Sequence, residues 1–366
     1  MVKKVTNKSL KDLRKKIDKI DKEIFVLIQE RASHAVAIGD IKSKLSPNDS
    51  FYKPHRETNI LRNIIKANKK GLLPDNKIRA IFKELISGCL SLEEILKVAY
   101  LGPEGTHSEA AVHNQFGSQV VRIPTSTIDD VFYQVINADV NLGVVPVENS
   151  SEGVINTTLN CLADSEDINI IGEIYLNIDH QLASGNKFKI SEAFAVASHP
   201  QALGQCSKWI ERNIGNIKRL EMPSSAAAAK YAKENKNILC IVNVMALKNY
   251  KLKLLKKNIQ DYSENKTRFL VISKNKAEQT GKDKSSFLIQ TPNKPGSLMS
   301  VLKPFDKRKI NLTKIETRPS RGNVNSHDFF IDCEGHILDQ KVCLAIREVE
   351  ETGAIIRNFG SYPEYI

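Results

Sequence analysis

Val98-Ala99-Tyr100-Leu101-Gly102-Pro103-Glu104-Gly105-Thr106-His107-Ser108-Glu109-Ala110-Ala111 divides the chain into two architectures. Its first four residues suit a buried strand, a Gly/Pro turn follows, and Thr106 or Ser108 can cap a helix that begins with Glu and Ala. Before this stretch the pattern is helical only. After it, short apolar runs alternate with helical patterns, which predicts an α/β region. The bare N–H groups of such a helix start favour an anionic ligand. The same residues serve equally well as an ordinary strand-to-helix turn.

Two later stretches narrow the reading. Gly102-Pro103-Glu104-Gly105-Thr106, then Pro146-Val147-Glu148-Asn149-Ser150-Ser151-Glu152-Gly153, then Asn265-Lys266-Thr267-Arg268-Phe269 resemble, in that order, the signatures of prephenate dehydratases. With the helical region before them and the tail after them, the whole chain resembles the bifunctional chorismate mutase/prephenate dehydratases of phenylalanine biosynthesis. The resemblance implies three domains: an all-α helical mutase domain (1–97), a two-lobed α/β dehydratase domain (98–276) and an α+β (βαββαβ) ACT-type regulatory domain (285–366). It implies no cofactor and no metal.

Composition is compatible with this. The 366 residues suffice for two or three cores, and no apolar run approaches the roughly 18 residues of a membrane span. The basic segment Met1 to Lys16 lacks the apolar core and small-residue cleavage pattern of a secretory signal, so a cytoplasmic location is expected. Six scattered cysteines with no CxxC pair argue against zinc and against a disulfide framework. The 54 basic and 42 acidic side chains leave +12, but the lysines are spread along every segment, which disfavours nucleic acid as a partner.

In the first region Leu13, Ile17, Ile20, Ile24, Leu27, Ile28, Ala35 and Ile38 recur at helical spacing with no proline between them. They predict one helix from Leu10 to about Ser43, roughly 50 Å long at about 1.5 Å per residue. So small a domain cannot cover such a helix alone, and an intertwined homodimer or higher homo-oligomer is expected. A loop at Ser46 to Ser50 precedes a second helix, Pro54 to about Lys69, and a third runs from Pro74-Asp75 to about Lys97. Arg31 and Lys42 are close to three turns apart and face one side, whereas Arg14 points about a quarter turn away and suits a partner's pocket. Arg56 and Glu57 open the second helix, and Cys89 and Glu93 are one turn apart on the third. Taken singly, each of these reads as a solvated helix face.

The resemblance gives them roles. Arg14, Arg31 and Lys42 would hold the two carboxylates and ether oxygen of chorismate, Glu57 a hydroxyl, and Lys53, Arg56, Cys89 and Glu93 would complete the lining. A pericyclic rearrangement needs no nucleophile, only a dianion held in its reactive conformer with cations where charge builds. Lys53 stands where some relatives have Asp, and Glu93 where some have Gln, so Glu93 would need a proton in order to donate to the ether oxygen.

In the second region Asn141 to Asn149 reads as an apolar strand ending in a polar turn, where ligands of open α/β sheets sit. Phe194 to His199 repeats the device, and Pro200 opens a helix to about Arg212. Ser224-Ser225 cap an alanine-rich helix, and Ile238 to Val242 and Arg268 to Ser273 are further strands. The resemblance implies one lobe from Val98 to about Asn177 with Thr267 to Asn275 returning, and a second from Ile178 to Lys266, with prephenate between them. Thr267 would be the essential hydroxyl and Arg268 a fork for a carboxylate. Thr106, Asn149, Ser150, Ser224 and Ser225 are the expected pocket donors, against turn or cap duty for each. His199 suits a structural hydrogen bond. His107 replaces a common aromatic, and Leu239 to Val244 lacks the usual small residues, which predicts looser packing of the second lobe.

After a polar linker, Lys276 to Lys284, the third region reads strand, helix, strand, strand, helix, strand. Asn293 to Leu298 and Ile315 to Pro319 resemble the phenylalanine-binding segments of ACT-type domains, which makes Gly296, Ser297, Leu298, Glu316, Thr317, Arg318 and Pro319 the expected effector site and phenylalanine a feedback inhibitor. Asn323 to His327 lacks the aromatics often found there. The competing reading is a ligand-binding or regulatory protein of the same architecture that has lost one activity.

Overall fold

The structure, a computed structural model, describes residues 7–45, 52–69, 71–262, 264–291, 294–320 and 327–365. The expected loop at 46–50, Asn293 and most of the Asn323 to His327 stretch lie outside the described residues. No helix among the described residues is long and apolar enough to cross a membrane.

Helix α1 spans Asn7–Leu45, α2 Pro54–Ala67 and α3 Asp75–Glu93. The third helix stops short of the expected Lys97 because Lys97 already pairs with Val121 as the first residue of strand β1. Only the last third of α1 packs on its own chain, through Ala35 and Gly39. Its apolar stripe stays open to solvent, with Leu13 and Ile17 each 56% exposed and Leu27 63%.

The α/β region forms two sheets. In the first, β1 (Lys97–Leu101), β2 (Val121–Thr125), β3 (Leu142–Asn149), β4 (Gly153–Val154) and β5 (Asn169–Asn177) come from one stretch of chain, and β11 (Lys266–Ser273) returns later to lie between β3 and β5. Helices α4 (His107–Phe116), α5 (Ile128–Ile136) and α6 (Asn156–Asp164) connect them. The second sheet has the order β10-β6-β9-β7-β8, from β6 (Gln181–Ser184), β7 (Ala195–Ser198), β8 (Lys218–Glu221), β9 (Ile238–Val242) and β10 (Lys253–Lys256). Its helices are α7 (Pro200–Gln205), α8 (Ser207–Asn213), α9 (Ser225–Glu234) and α10 (Val244–Asn249). The helix expected from Pro200 to Arg212 breaks at Cys206, and the Asp261 carboxylate accepts from the Lys208 and Trp209 amides to cap the second half.

The chain crosses between the lobes twice, and the two crossings lie side by side, Ile178 N donating to Asn265 O at 2.8 Å. Looser packing of the second lobe is not what the structure has. Leu239, Cys240, Ile241 and Val242 are fully buried: Cys240 and Val242 pack with Ala228, Ala229 and Ala232 of α9, while Leu239 and Ile241 pack with Leu203, Cys206 and Ile210. Gly105 sits at φ +86 with its α-hydrogen against Ala246 of the other lobe, so a side chain there would be strained and crowded at once.

The last region adds β12 (Asp283–Gln290), α11 (Ser297–Lys307), β13 (Leu312–Pro319), β14 (His327–Glu334), α12 (Gln340–Glu350) and β15 (Ile355–Pro363). Its four strands form an antiparallel sheet in the order β13-β14-β12-β15. Leu288, Phe330, Phe359 and Tyr362 join the core beneath α5 and α6, so this sheet shares a core with the first lobe. Contact is tight at Gly360, where a β-carbon would lie 2.3 Å from the Ile170 carbonyl oxygen. The expected linker is tied down: Arg62 of α2 donates to Thr280 Oγ1 and to the Lys282 and Glu364 carbonyls.

Two candidate active sites

A cavity of about 520 Å³ opens where the end of α1 meets α2 and α3. Arg31 and Lys42 both line it, as their spacing on one helix face requires, together with Lys53, Arg56, Glu57, Cys89 and Glu93. Arg14 does not; it lies on the exposed part of α1. Lys42 Nζ donates to Glu93 Oε2 at 3.1 Å, joining α1 to α3 in the cavity wall. His34, Tyr52, His55 and Glu278 also line the cavity and carry no signal at the level of helical spacing. Glu278 arrives from beyond β11 and meets His55, Nε2 to Oε2 3.5 Å.

Burial pushes the Glu57 carboxyl up to about 7, against the pull of Lys83 and a hydrogen bond with Tyr52. A carboxyl whose folded value is raised binds its proton more tightly in the native state. Stability therefore falls as pH rises from the ordinary carboxylate value to about 7, by up to about 3 kcal/mol. Glu57→Gln should remove that loss, gaining on the parent protein in denaturant melts as pH goes from 5 to 8. A difference that stays constant over this range would show that the carboxyl is not held this way.

The second cavity, about 290 Å³, lies between the lobes. Thr106, Asn149, Ser224, Ser225 and Thr267 all line it. Asn149 Oδ1 accepts from the Ser151 amide at 2.9 Å, which turns its NH2 toward Thr267 Oγ1, 2.8 Å away, and Asn265 Oδ1, 3.1 Å away. Thr267 Oγ1 thus accepts one hydrogen bond on the cleft side of β11. Around this pair four helices begin, and each N-cap lines the cavity: Thr106 on α4, His199 on α7, Ser224 on α9 and Asn243 on α10. Cap duty and cleft lining, alternatives in the sequence, coincide here. Each helix start favours negative charge by about 0.3–1 kcal/mol.

Sequence reasoning missed His180, Gln205 and Asn243. His180 Nε2 lies 2.7 Å from Gln205 Oε1, and its ring meets His107 edge to face, 5.9 Å between centroids. Burial drives both imidazoles toward the neutral form, His107 down to about 3 with help from His180.

Two expected cleft residues are elsewhere. Ser150 does not line the cavity; its hydroxyl accepts from the Lys266 amide at 2.9 Å and ties the end of β3 to the crossing segment. Arg268 is on the opposite face of β11, because alternate residues of a strand point to opposite sides and Thr267 takes the cleft side. There Arg268 Nε bonds Glu173 Oε2 at 2.9 Å, Nη1 bonds Asp332 Oδ2 at 2.6 Å and Nη2 bonds the Tyr362 hydroxyl at 3.0 Å. Burial opposes its charge, but Tyr362, Asp332 and Glu173 more than offset this and raise its pKa. With every side of its fork engaged, Arg268 has no path to a carboxylate in the cleft.

The expected effector segments share one end of the last sheet, since Gln290 of β12 pairs with Asp328 and Asp328 with Arg318. Gly296, at φ +84, precedes Ser297 and Leu298 on α11, while Glu316, Thr317, Arg318 and Pro319 close β13. Arg318 is turned toward the first lobe, donating to Asn160 Oδ1 at 2.7 Å.

A family model described as chorismate mutase type II matches residues 13–94, and one described as prephenate dehydratase matches residues 98–277. A bifunctional chorismate mutase/prephenate dehydratase of Stutzerimonas stutzeri is 41% identical over 98% of this chain and 98% of its own. One from Aquifex aeolicus is 42% identical over 97% and 98%. A solved prephenate dehydratase in complex with L-Phe, from Arthrobacter aurescens, superposes with a TM-score of 0.68 at 29% identity, covering 74% of this chain and 90% of that one. With both family models matched in turn and relatives of 41–42% identity along nearly the whole chain, the chain belongs to the bifunctional chorismate mutase/prephenate dehydratases.

Proposed function

We propose that the two cavities divide the two reactions. In the helical cavity Arg31 and Lys42 hold the chorismate dianion and face the ether oxygen, Glu57 takes a hydroxyl, and Lys53, Arg56, Cys89 and Glu93 complete the enclosure. In the cleft, prephenate releases CO2; the electron pair of that C–C bond enters the ring, and the ring hydroxyl departs as water with a proton from Thr267, which recovers its proton from solvent. Asn149 steadies the Thr267 oxygen as charge builds on it. The observation that carries this reading is the Asn149–Thr267 hydrogen bond of 2.8 Å inside a ring of helix N-termini. His107 and His180 are disfavoured as the acid, because burial holds both neutral. Purified protein given chorismate should form prephenate and then phenylpyruvate. Failure of either step would favour the alternative, a ligand-binding or regulatory protein of the same architecture that has lost one activity.

The open stripe on α1 is the basis for a homodimer. Leu13, Ile17, Ile20, Ile24 and Leu27 are exposed in one chain, and burying each gains roughly 1.5–3 kcal/mol. The same packing would bring Arg14 to the partner's cavity. A cytoplasmic location is part of this reading.

The last domain, of ACT type in this reading, takes phenylalanine at Gly296 to Leu298 and Glu316 to Pro319. The Arthrobacter aurescens relative was solved with L-Phe, and the two segments here share one sheet end. Leu298→Asp should reduce inhibition by phenylalanine at least about tenfold and leave turnover without effector unchanged, the size expected for a coupling of 1–3 kcal/mol. Undiminished inhibition would place phenylalanine in the cleft as a product mimic.

A further inference from the structure

The charges on the back of the catalytic strands form a pattern that the cleft does not explain. Thr267 is in register with Asn149, and the next pair, Arg268 with Glu148, faces the last sheet. In that sheet Lys314 of β13 is in register with Asp332 of β14. The two pairs meet with opposite signs: Arg268 Nη1 to Asp332 Oδ2 2.6 Å, and Lys314 Nζ to Glu148 Oε2 2.6 Å. The strands that carry the Thr267–Asn149 pair are therefore gripped, one residue away and from behind, by two neighbouring strands of another domain.

We propose that Asp332 and Lys314 are positioning residues for dehydration: this four-charge clasp sets the spacing of β3 and β11, and with it the Asn149 to Thr267 hydrogen bond. The inference rests on the reading of Thr267 as proton donor. β3 and β11 also lose their regular register between Arg268 and Phe269, beside the clasp, so the ladder alone does not fix the strand ends there. A displacement of about 1 Å at a reacting group costs up to about 100-fold in rate.

Asp332 is buried beside Arg268, and its replacement risks the fold, so Lys314, at the outer end of the clasp, is the better probe. In the full-length enzyme Lys314→Met should lower dehydratase kcat about tenfold with the KM for prephenate within about twofold and mutase turnover unchanged, a modest part of the misplacement cost. Lys314→Arg should recover most of the rate. The exchange Glu148→Lys with Lys314→Glu should recover more than either single change. Full kcat in Lys314→Met, or a loss that neither Lys314→Arg nor the exchange repairs, overturns the clasp. Thr267→Ala is measured alongside. If it keeps full turnover, the reading of the cleft has failed; if it is inactive while Lys314→Met is not impaired, the clasp alone has failed.

Discussion

Thr267→Ala is expected to cost dehydration about 10²–10⁴-fold in kcat, the range of a positioned proton donor, with prephenate formation from chorismate intact. Thr267→Ser keeps the hydroxyl and should retain most of the rate. Because Asn149 Nδ2 donates to Thr267 Oγ1 at 2.8 Å, Asn149→Ala should be impaired as well, and the double variant should be little worse than Thr267→Ala. Additive losses would mean that the two side chains act separately. The pH dependence of kcat gives a second check: buried, neutral His107 and His180 offer no imidazolium as acid, so no fall in rate near the ordinary histidine value should come from them.

Much of this was legible in the chain because the signals were local. The strand from Val98, the Gly/Pro turn and the Thr106 cap are contiguous, and the cap forms as read, Thr106 Oγ1 accepting from Glu109 N at 3.4 Å. Arg31 and Lys42 converge because one helix carries both. The misses needed distance. His180 and Asn243 reach the cleft only once two lobes close on it, and Glu278 reaches the helical cavity from beyond the last strand of the first lobe. No periodicity reports such meetings.

The error over Arg268 is different in kind, since the chain held what was needed to avoid it. A strand that sends Thr267 into the cleft must send Arg268 away from it. Read as a short motif, the two residues looked like one binding group; read as a strand, they face different domains. The motif thus joins a chemical group on one side of β11 to a structural one on the other. The second lobe teaches a related point, because Cys240 and Val242 are matched by the alanines of α9 some residues earlier while Leu239 and Ile241 pack with Leu203, Cys206 and Ile210, and packing is a property of the pair.

Arg31→Ala should lower mutase kcat/KM by about 10²–10³-fold, the loss of one charged clamp on a dianion in an enclosed site, and leave dehydration of supplied prephenate unchanged. Arg14→Ala should cost a comparable factor although Arg14 does not line the cavity of its own chain, because in the proposed dimer it would enter the partner's site. Mixing the two inactive variants decides between the arrangements. In a mixed dimer one site collects both defects, and the other has Arg31 from one chain and Arg14 from the other, both intact. Random exchange makes half of all dimers mixed, so about a quarter of the parental mutase activity should return. If Arg14 served its own chain, every dimer would keep the defects of its separate chains and mixing would restore nothing; if it served no site, Arg14→Ala alone would keep full mutase activity. The mixture should show full dehydratase activity throughout, since neither residue approaches the cleft.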